Sequence, residues 1–234
     1  MKLSRPALIV SIALGGVLVL GLAAILIGSL SRPSASSEVS GPVDGVRDAS
    51  FELLDGATSV RVRAASLGDD LYRVSVPSDS GARPRVDRDG GDVGLRLASA
   101  GDGTSVDVLL NPSVTWRLRI SGGVRELRVE MSGATTESVD IAGGASLIDV
   151  TLARPSRPVT VAMTGGADQF RVRLPSGTPA RVTAASGAGS VTIAGQPHQG
   201  VAGGQSFTAN GWQDGAAGVD VQARAGAGVV IVDA

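Results

Sequence analysis

Four small turns recur along this chain at a nearly fixed interval: Gly122-Gly123, Gly143-Gly144, Gly165-Gly166 and Ser186-Gly187, whose second residues are 21, 22 and 21 positions apart. Apolar residues flank each turn at matched offsets. Five and three positions before the second turn residue stand Leu118/Ile120, Val139/Ile141, Val161/Met163 and Val182/Ala184. Four and six positions after it stand Leu127/Val129, Ile148/Val150, Phe170/Val172 and Val191/Ile193. Alternation with period two on both sides of a turn means two short strands, each with one buried face. The pattern returns at Gly56, between Phe51/Leu53 and Val60/Val62, and at Gly226, between Val221/Ala223 and Val230/Val232. Gly91 fits in part, with Leu95 and Leu97 after it, and Val74–Val76 and Val106–Leu110 read as further strands. One such unit cannot bury its apolar face alone, so the units must stack. The expected fold is all-β: a repeat-built, β-solenoid-like stack of short strands over residues 46–234. The turn glycines are expected to supply a backbone conformation that a β-carbon would penalise.

The outward positions carry a second pattern. Five residues after the turn come Arg128, Asp149, Arg171 and Thr192; four before it come Arg119, Asp140, Ala162 and Thr183. If equivalent positions stack, opposite charges lie one above another, each pair contributing roughly 0.2–1 kcal/mol.

Ahead of the repeats, Ala7 to Leu30 runs for 24 residues without a charge. As a helix it is about 36 Å long at about 1.5 Å per residue, enough to cross a hydrocarbon core of about 30 Å. Lys2 and Arg5 precede it and Arg32 follows. The excess of positive charge on the N-terminal side places residues 1–6 in the cytoplasm and the repeats outside the cell membrane. A cleaved signal peptide is the competing reading, with Ala35 and Ser37 as small residues for a cleavage site, although such apolar regions usually run to only about 7–15 residues. Residues 31–45 (SRPSASSEVSGPVDG) have almost nothing to bury and read as a flexible tether.

Composition narrows the function. Without residues 1–31, the 21 basic residues lose Lys2 and Arg5 and become 19, against 22 acidic ones, a net charge of −3. That is the wrong sign for a nucleic-acid binder. Cysteine is absent, so no disulfide, thiol nucleophile or lipid-modified cysteine is available. Lys2 is the only lysine against twenty arginines, which with the many Ala and Gly residues suggests a GC-rich bacterial gene.

The phrases LNPSVTWRLRISGGVRELRVEMSG, VDIAGGASLIDVTL, VTVAMTGGADQFRVRLPSGTPARV and SGAGSVTIAG resemble the bacterial putative-adhesin, or toast-rack, β-strand-repeat domains. These are related to the C-terminal domain of LiaF-type cell-envelope stress proteins. The resemblance covers roughly residues 45–234 and implies a stack of strands displayed outside the membrane. It also implies, for some relatives, a part in sensing envelope damage through a partner. The single membrane segment departs from the LiaF type, which has several, and the family brings no agreed catalytic residues.

A search for chemistry turns up little. His198 is the sole histidine, in Gln196-Pro-His-Gln-Gly200, and reads more readily as a polar loop residue than as a general base. No G-x-S-x-G or P-loop motif occurs, and one histidine without cysteine cannot build the usual zinc sites. Asp87-Arg-Asp-Gly-Gly-Asp92 lacks calcium-loop spacing and fits a hairpin. Arg61/Arg63, Arg117/Arg119, Arg128 and Arg171/Arg173 should face outward. They could bind lipid phosphates or an anionic wall polymer, or form a solvated face neutralised by Glu126, Glu130, Asp140 and Asp149. Trp116 has the parity of Leu118 and Ile120 and should be buried. Trp212 lies in the stretch 196–218, where the repeat spacing opens to 39 residues; it reads as an insertion whose tryptophan covers one end of the stack or binds a glycan. The expectation is a non-enzymatic, membrane-anchored surface protein without a cofactor, binding or sensing at the cell envelope through a partner, or else a passive adhesin or structural module. His198, Trp212, Arg117, Arg119, Arg128, Arg171 and Arg173 are its candidate ligand or partner surface.

Overall fold

The computed structural model describes residues 36–99 and 103–234. The expected cytoplasmic stretch 1–6 and membrane helix 7–30 lie outside the described residues. Among the described residues there are nineteen strands and one 3-10 turn, Ser78–Ser80, and no helix long and apolar enough to cross a membrane. The N-terminal strands are β1 (Ser36–Pro42), β2 (Asp48–Leu53), β3 (Ala57–Ala64), β4 (Asp70–Pro77), β5 (Arg83–Asp89), β6 (Asp92–Ala98) and β7 (Ser105–Leu110). The middle of the chain forms β8 (Thr115–Ile120), β9 (Val124–Met131), β10 (Thr136–Ile141), β11 (Ala145–Leu152), β12 (Pro158–Met163) and β13 (Ala167–Arg173). The last six are β14 (Ala180–Ala184), β15 (Ala188–Ile193), β16 (Gln196–Val201), β17 (Gln205–Ala209), β18 (Gly218–Ala223) and β19 (Ala227–Asp233).

Each coil gives one strand to each of two sheets. The first sheet runs β1-β4-β7-β3-β9-β11-β13-β19-β15-β16 and the second β17-β14-β18-β12-β10-β8-β2-β6-β5. Neighbouring coils pair in parallel, with apolar positions in register: Val139 lies between Leu118 and Val161, and Ile148 between Leu127 and Phe170. These inward residues are buried to within 2% exposure and belong to one hydrophobic cluster shared by the two sheets. Trp116 is fully buried, as its parity requires, and its indole N–H donates to the Asn111 carbonyl at 2.9 Å.

The coils do not stack in the order in which they are made. The last coil, β18/β19, is inserted between β12/β13 and β14/β15, and the first, β2/β3, lies inside the second, β6/β7. Two expected charge columns are therefore cut short. Asp149 does lie between Arg128 and Arg171, and Asp140 between Arg119 and Ala162. Ile231, however, separates Arg171 from Thr192, and Gln222 separates Ala162 from Thr183. The repeat around Gly91 is also shifted. Gly90-Gly91 joins the antiparallel hairpin β5–β6, and Leu95 pairs with Leu53 before the coil turn, not after it.

The turn glycines answer mainly to space. None of Gly122, Gly123, Gly143, Gly144 and Gly165 has a positive φ, although Gly166 and Gly187 do, at 77° and 89°. The turns of successive coils press backbone on backbone. A β-carbon on Gly122, Gly143 or Gly165 would overlap the backbone of Asp55, Gly122 or Gly143, and one on Gly144 would stand 2.9 Å from the Gly165 carbonyl oxygen.

Both ends of the stack are closed by antiparallel strands, β1 and β5 at one end and β16 and β17 at the other. Two expectations are corrected here. Residues 36–42 are not tether but strand β1, registered along β4, so the β domain begins before residue 46. Most of 196–218 is not an insertion, because β16 and β17 cap one sheet each. Pro84, Arg83 and Arg85 on β5, Glu38 on β1 and Pro197 on β16 are residues that discourage further strand pairing.

Next to this second cap, on the outer face, Arg181 grips Asp220 of the neighbouring strand with two hydrogen bonds of 2.9 and 3.0 Å. Burial on its own would raise the Asp220 carboxyl. Hydrogen bonds from Arg181 and Gln222, and the charges of Arg181 and Arg224, outweigh burial and hold it below its ordinary value.

Gly143→Ala should destabilise the fold by about 1–3 kcal/mol, as overpacking does. Gly226→Ala, which meets nothing within 4 Å and has no positive φ, should be neutral or stabilising by about 0.4–1 kcal/mol through the unfolded chain. Urea denaturation of the two variants checks this. A carboxyl whose folded pKa lies below its unfolded value contributes stability that is present above about pH 4 and lost as pH falls through the folded value. Asp220→Asn should therefore cost roughly 1–3 kcal/mol at pH 7 and reduce the loss of stability on acidification, read from urea midpoints at neutral and acid pH.

Candidate functional site

The seven residues singled out from the sequence do not form one site. Arg117 and Arg119 lie on β8 in the second sheet, whereas Arg128, Arg171 and Arg173 lie on β9 and β13 in the first. With the core between the sheets, alternation points these two groups to opposite outer faces. Each is also engaged. Arg117 pairs with Glu137 at 3.2 Å, and Arg119 lies between Asp140 at 3.1 Å and Glu52 at 3.4 Å. Arg171 meets Asp233 at 2.7 Å, and hydrogen bonding to that carboxylate raises its pKa further. Arg173 pairs with Asp149, and Arg128 with Glu126 of its own strand. Most of these side chains are about half exposed, so each pair contributes little. All five arginines are paired with carboxylates, on two opposite outer faces.

His198 and Trp212 have separate roles. His198 lies on β16 opposite buried Val191, and Phe207 lies on β17 opposite buried Val182. Their rings stack with centroids 4.0 Å apart and planes 20° apart. The imidazole thus bridges the two capping strands over the end of the core. Trp212 lies between β17 and β18, with the Arg181 guanidinium 5.1 Å from its ring centroid. Its six-membered ring lies so close to Gly218 that a β-carbon there would stand 2.8 Å away. The ring thus lies between a guanidinium and the backbone of Gly218.

A cleft lies elsewhere in the fold. A cavity of about 240 Å³ opens along the edge where strands of the first sheet hand over to the second, opposite the glycine turns. Its walls are loop 132–135, between β9 and β10, and loop 153–157, between β11 and β12. Arg154 and Arg157 line it, with Ser132, Thr135 and Ser156, and no carboxylate does. Arg154 donates to the Ser176 carbonyl at 2.6 Å, which fixes its guanidinium. Arg157 is exposed and has no hydrogen-bond or ion-pair partner among the described residues. Thr136, also in the lining, is 7% exposed, and its hydroxyl has no partner. A more open hollow of about 460 Å³ near the β1 end carries Asp44 and Asp69, and Asp44 already pairs with Arg88 at 3.4 Å.

Sequence reasoning missed this cleft. The available signal was the run Ala153-Arg-Pro-Ser-Arg-Pro158, two arginines without an acidic neighbour between strands. Nothing in it announced that Ser132–Thr136 would stand alongside.

No family model matches the chain, and no curated protein matches it. Among solved structures, the fold is similar to that of a protein from Clostridium sporogenes described as a "putative cell adhesion protein", at 14% identity and a TM-score of 0.60, over 85% of this chain and 97% of that one. Two proteins described as "putative adhesin", from Bacteroides fragilis and Parabacteroides distasonis, align over the same 85% of this chain at 9% and 12% identity, with TM-scores of 0.32 and 0.25. At these identities the first likeness is one of fold alone, that of an all-β chain.

Proposed function

We propose that this chain is a non-catalytic surface module of the adhesin type. In this reading it is anchored in the cell membrane by residues 7–30, displays its β stack outside the cell and attaches there to envelope or surface polymers. The observation that carries the proposal is the two-sheet scaffold itself, whose fold likeness is to a protein described as a cell adhesion protein. The surface agrees with it. Many of the outward arginines are already paired with carboxylates, and the cleft at the loop edge is a discrete feature open to attachment. The envelope-sensing reading through a partner rests on the resemblance to LiaF-type domains alone, so the attachment reading is preferred.

The full chain, expressed in a bacterial host that lacks it, should partition with the membrane fraction. It should leave the β domain open to externally added protease. It should also increase retention of the cells on surfaces coated with whole cells, glycans or matrix. Retention equal to that of cells without the chain would overturn the attachment reading, and recovery in the soluble cytoplasmic fraction would overturn the anchoring.

A further inference from the structure

We infer that the cleft between loops 132–135 and 153–157 is a binding site for one acidic saccharide unit, held through its anionic group by Arg157 and Arg154. The inference rests on the adhesin-type reading above and assigns it a ligand class.

The first argument is charge. The protein beyond residue 31 carries 19 basic and 22 acidic residues, and Arg117, Arg119, Arg171 and Arg173 each face a carboxylate. The cleft has two guanidinium groups and no carboxylate in its lining. A guanidinium without a partner suits a carboxylate or phosphate, which accepts two N–H bonds at once. Arg154 is held by the Ser176 carbonyl through one nitrogen, which leaves its other N–H groups without a protein partner among the described residues.

The second argument is the hydroxyl lining. Ser132, Thr135 and Ser156 line the cleft and are exposed. A polyhydroxylated ligand brings groups of the complementary kind.

The third argument is size and stiffness. The cleft of about 240 Å³ has room for more than a bare phosphate. Pro155 and Pro158 bracket Arg157 and reduce the backbone entropy lost in holding it.

Two sources can supply the anionic group, a uronic acid or a sugar phosphate, and the test separates them. The full chain in detergent is titrated by calorimetry with glucuronate, glucose 6-phosphate, glucose and inorganic phosphate. The expected result is saturable binding of glucuronate or glucose 6-phosphate, with no binding of glucose and weaker binding of phosphate. The affinity should fall about tenfold in Arg157→Gln, the loss of one charge-assisted contact, and stay unchanged in Arg85→Gln, an exposed arginine at the β5 edge. Equal thermal midpoints for the variants confirm that the fold is intact. Binding of neither acidic sugar, equal binding of inorganic phosphate alone, or an equal loss in Arg85→Gln would overturn the inference. Running the variants in the retention assay separates this inference from the reading beneath it. Wild-type cells that attach, and Arg157→Gln cells that attach equally well, overturn the cleft and leave adhesion standing. Wild-type cells that never attach overturn adhesion, whether or not the sugars bind.

Discussion

Everything in this fold depends on how closely one coil can lie on the next. Parallel strands hydrogen-bond at a spacing of about 4.8 Å, and the turns must follow at that same spacing or the sheets would splay. Gly122, Gly143 and Gly165 let them follow, because their α-carbons lie where any side chain would strike the coil below. The apolar ladder supplies the driving force and the glycine edge removes the obstacle. With aromatics at only 3% of the chain, the core is built almost wholly from Val, Leu, Ile and Ala. Small aliphatic side chains suit a narrow space between two sheets, and no disulfide is available to compensate for poor packing.

A scaffold made this way uses its inward positions for stability and leaves its outward ones free. Here most of that freedom goes into neutralising charge: Arg119 lies between Glu52 and Asp140, and Arg181 between Asp214 and Asp220. These pairs also help fix register, since a slip of one residue would turn the apolar set outward and break every pair. The edge opposite the glycines is built differently. Its connections are longer and richer in Ser, Thr, Pro and Arg, and they need not pack backbone on backbone. A cleft can therefore open there without weakening the stack.

The inward residues were legible in the sequence because a period of two on either side of a turn has few other meanings, and Trp116 followed from parity with Leu118. Coil order was not legible. Val221 and Val230 would pair as well against one neighbouring coil as another, so a regular apolar pattern says which face is buried and not which coil lies next to which. The caps were hidden for a different reason. Ser36–Pro42 and Gln196–Val201 carry few apolar residues, because an edge strand is held by backbone hydrogen bonds on one side alone. The turn glycines were recognised as essential, but a positive φ explains only Gly166 and Gly187, since a sequence cannot tell a positive φ from a lack of room. Of the candidate site, outward alternation of the arginines was readable and their ion-pair partners only in part. The cleft was not readable, because its two walls belong to loops about twenty residues apart that meet only once the coils are stacked.

The layered stack, with its final coil tucked inside, can be measured with a ruler. Outward positions Ser59, Glu126, Leu147, Gln169, Val229 and Ser190 form one row across the first sheet. The chain has no cysteine, so spin labels can be placed cleanly at Ser59 together with either Val229 or Ser190. At about 4.8 Å per strand, the backbone separations should be about 19 Å to Val229 and about 24 Å to Ser190. A distance to Val229 that is longer than the distance to Ser190 would mean that the coils stack in chain order, and would contradict the account.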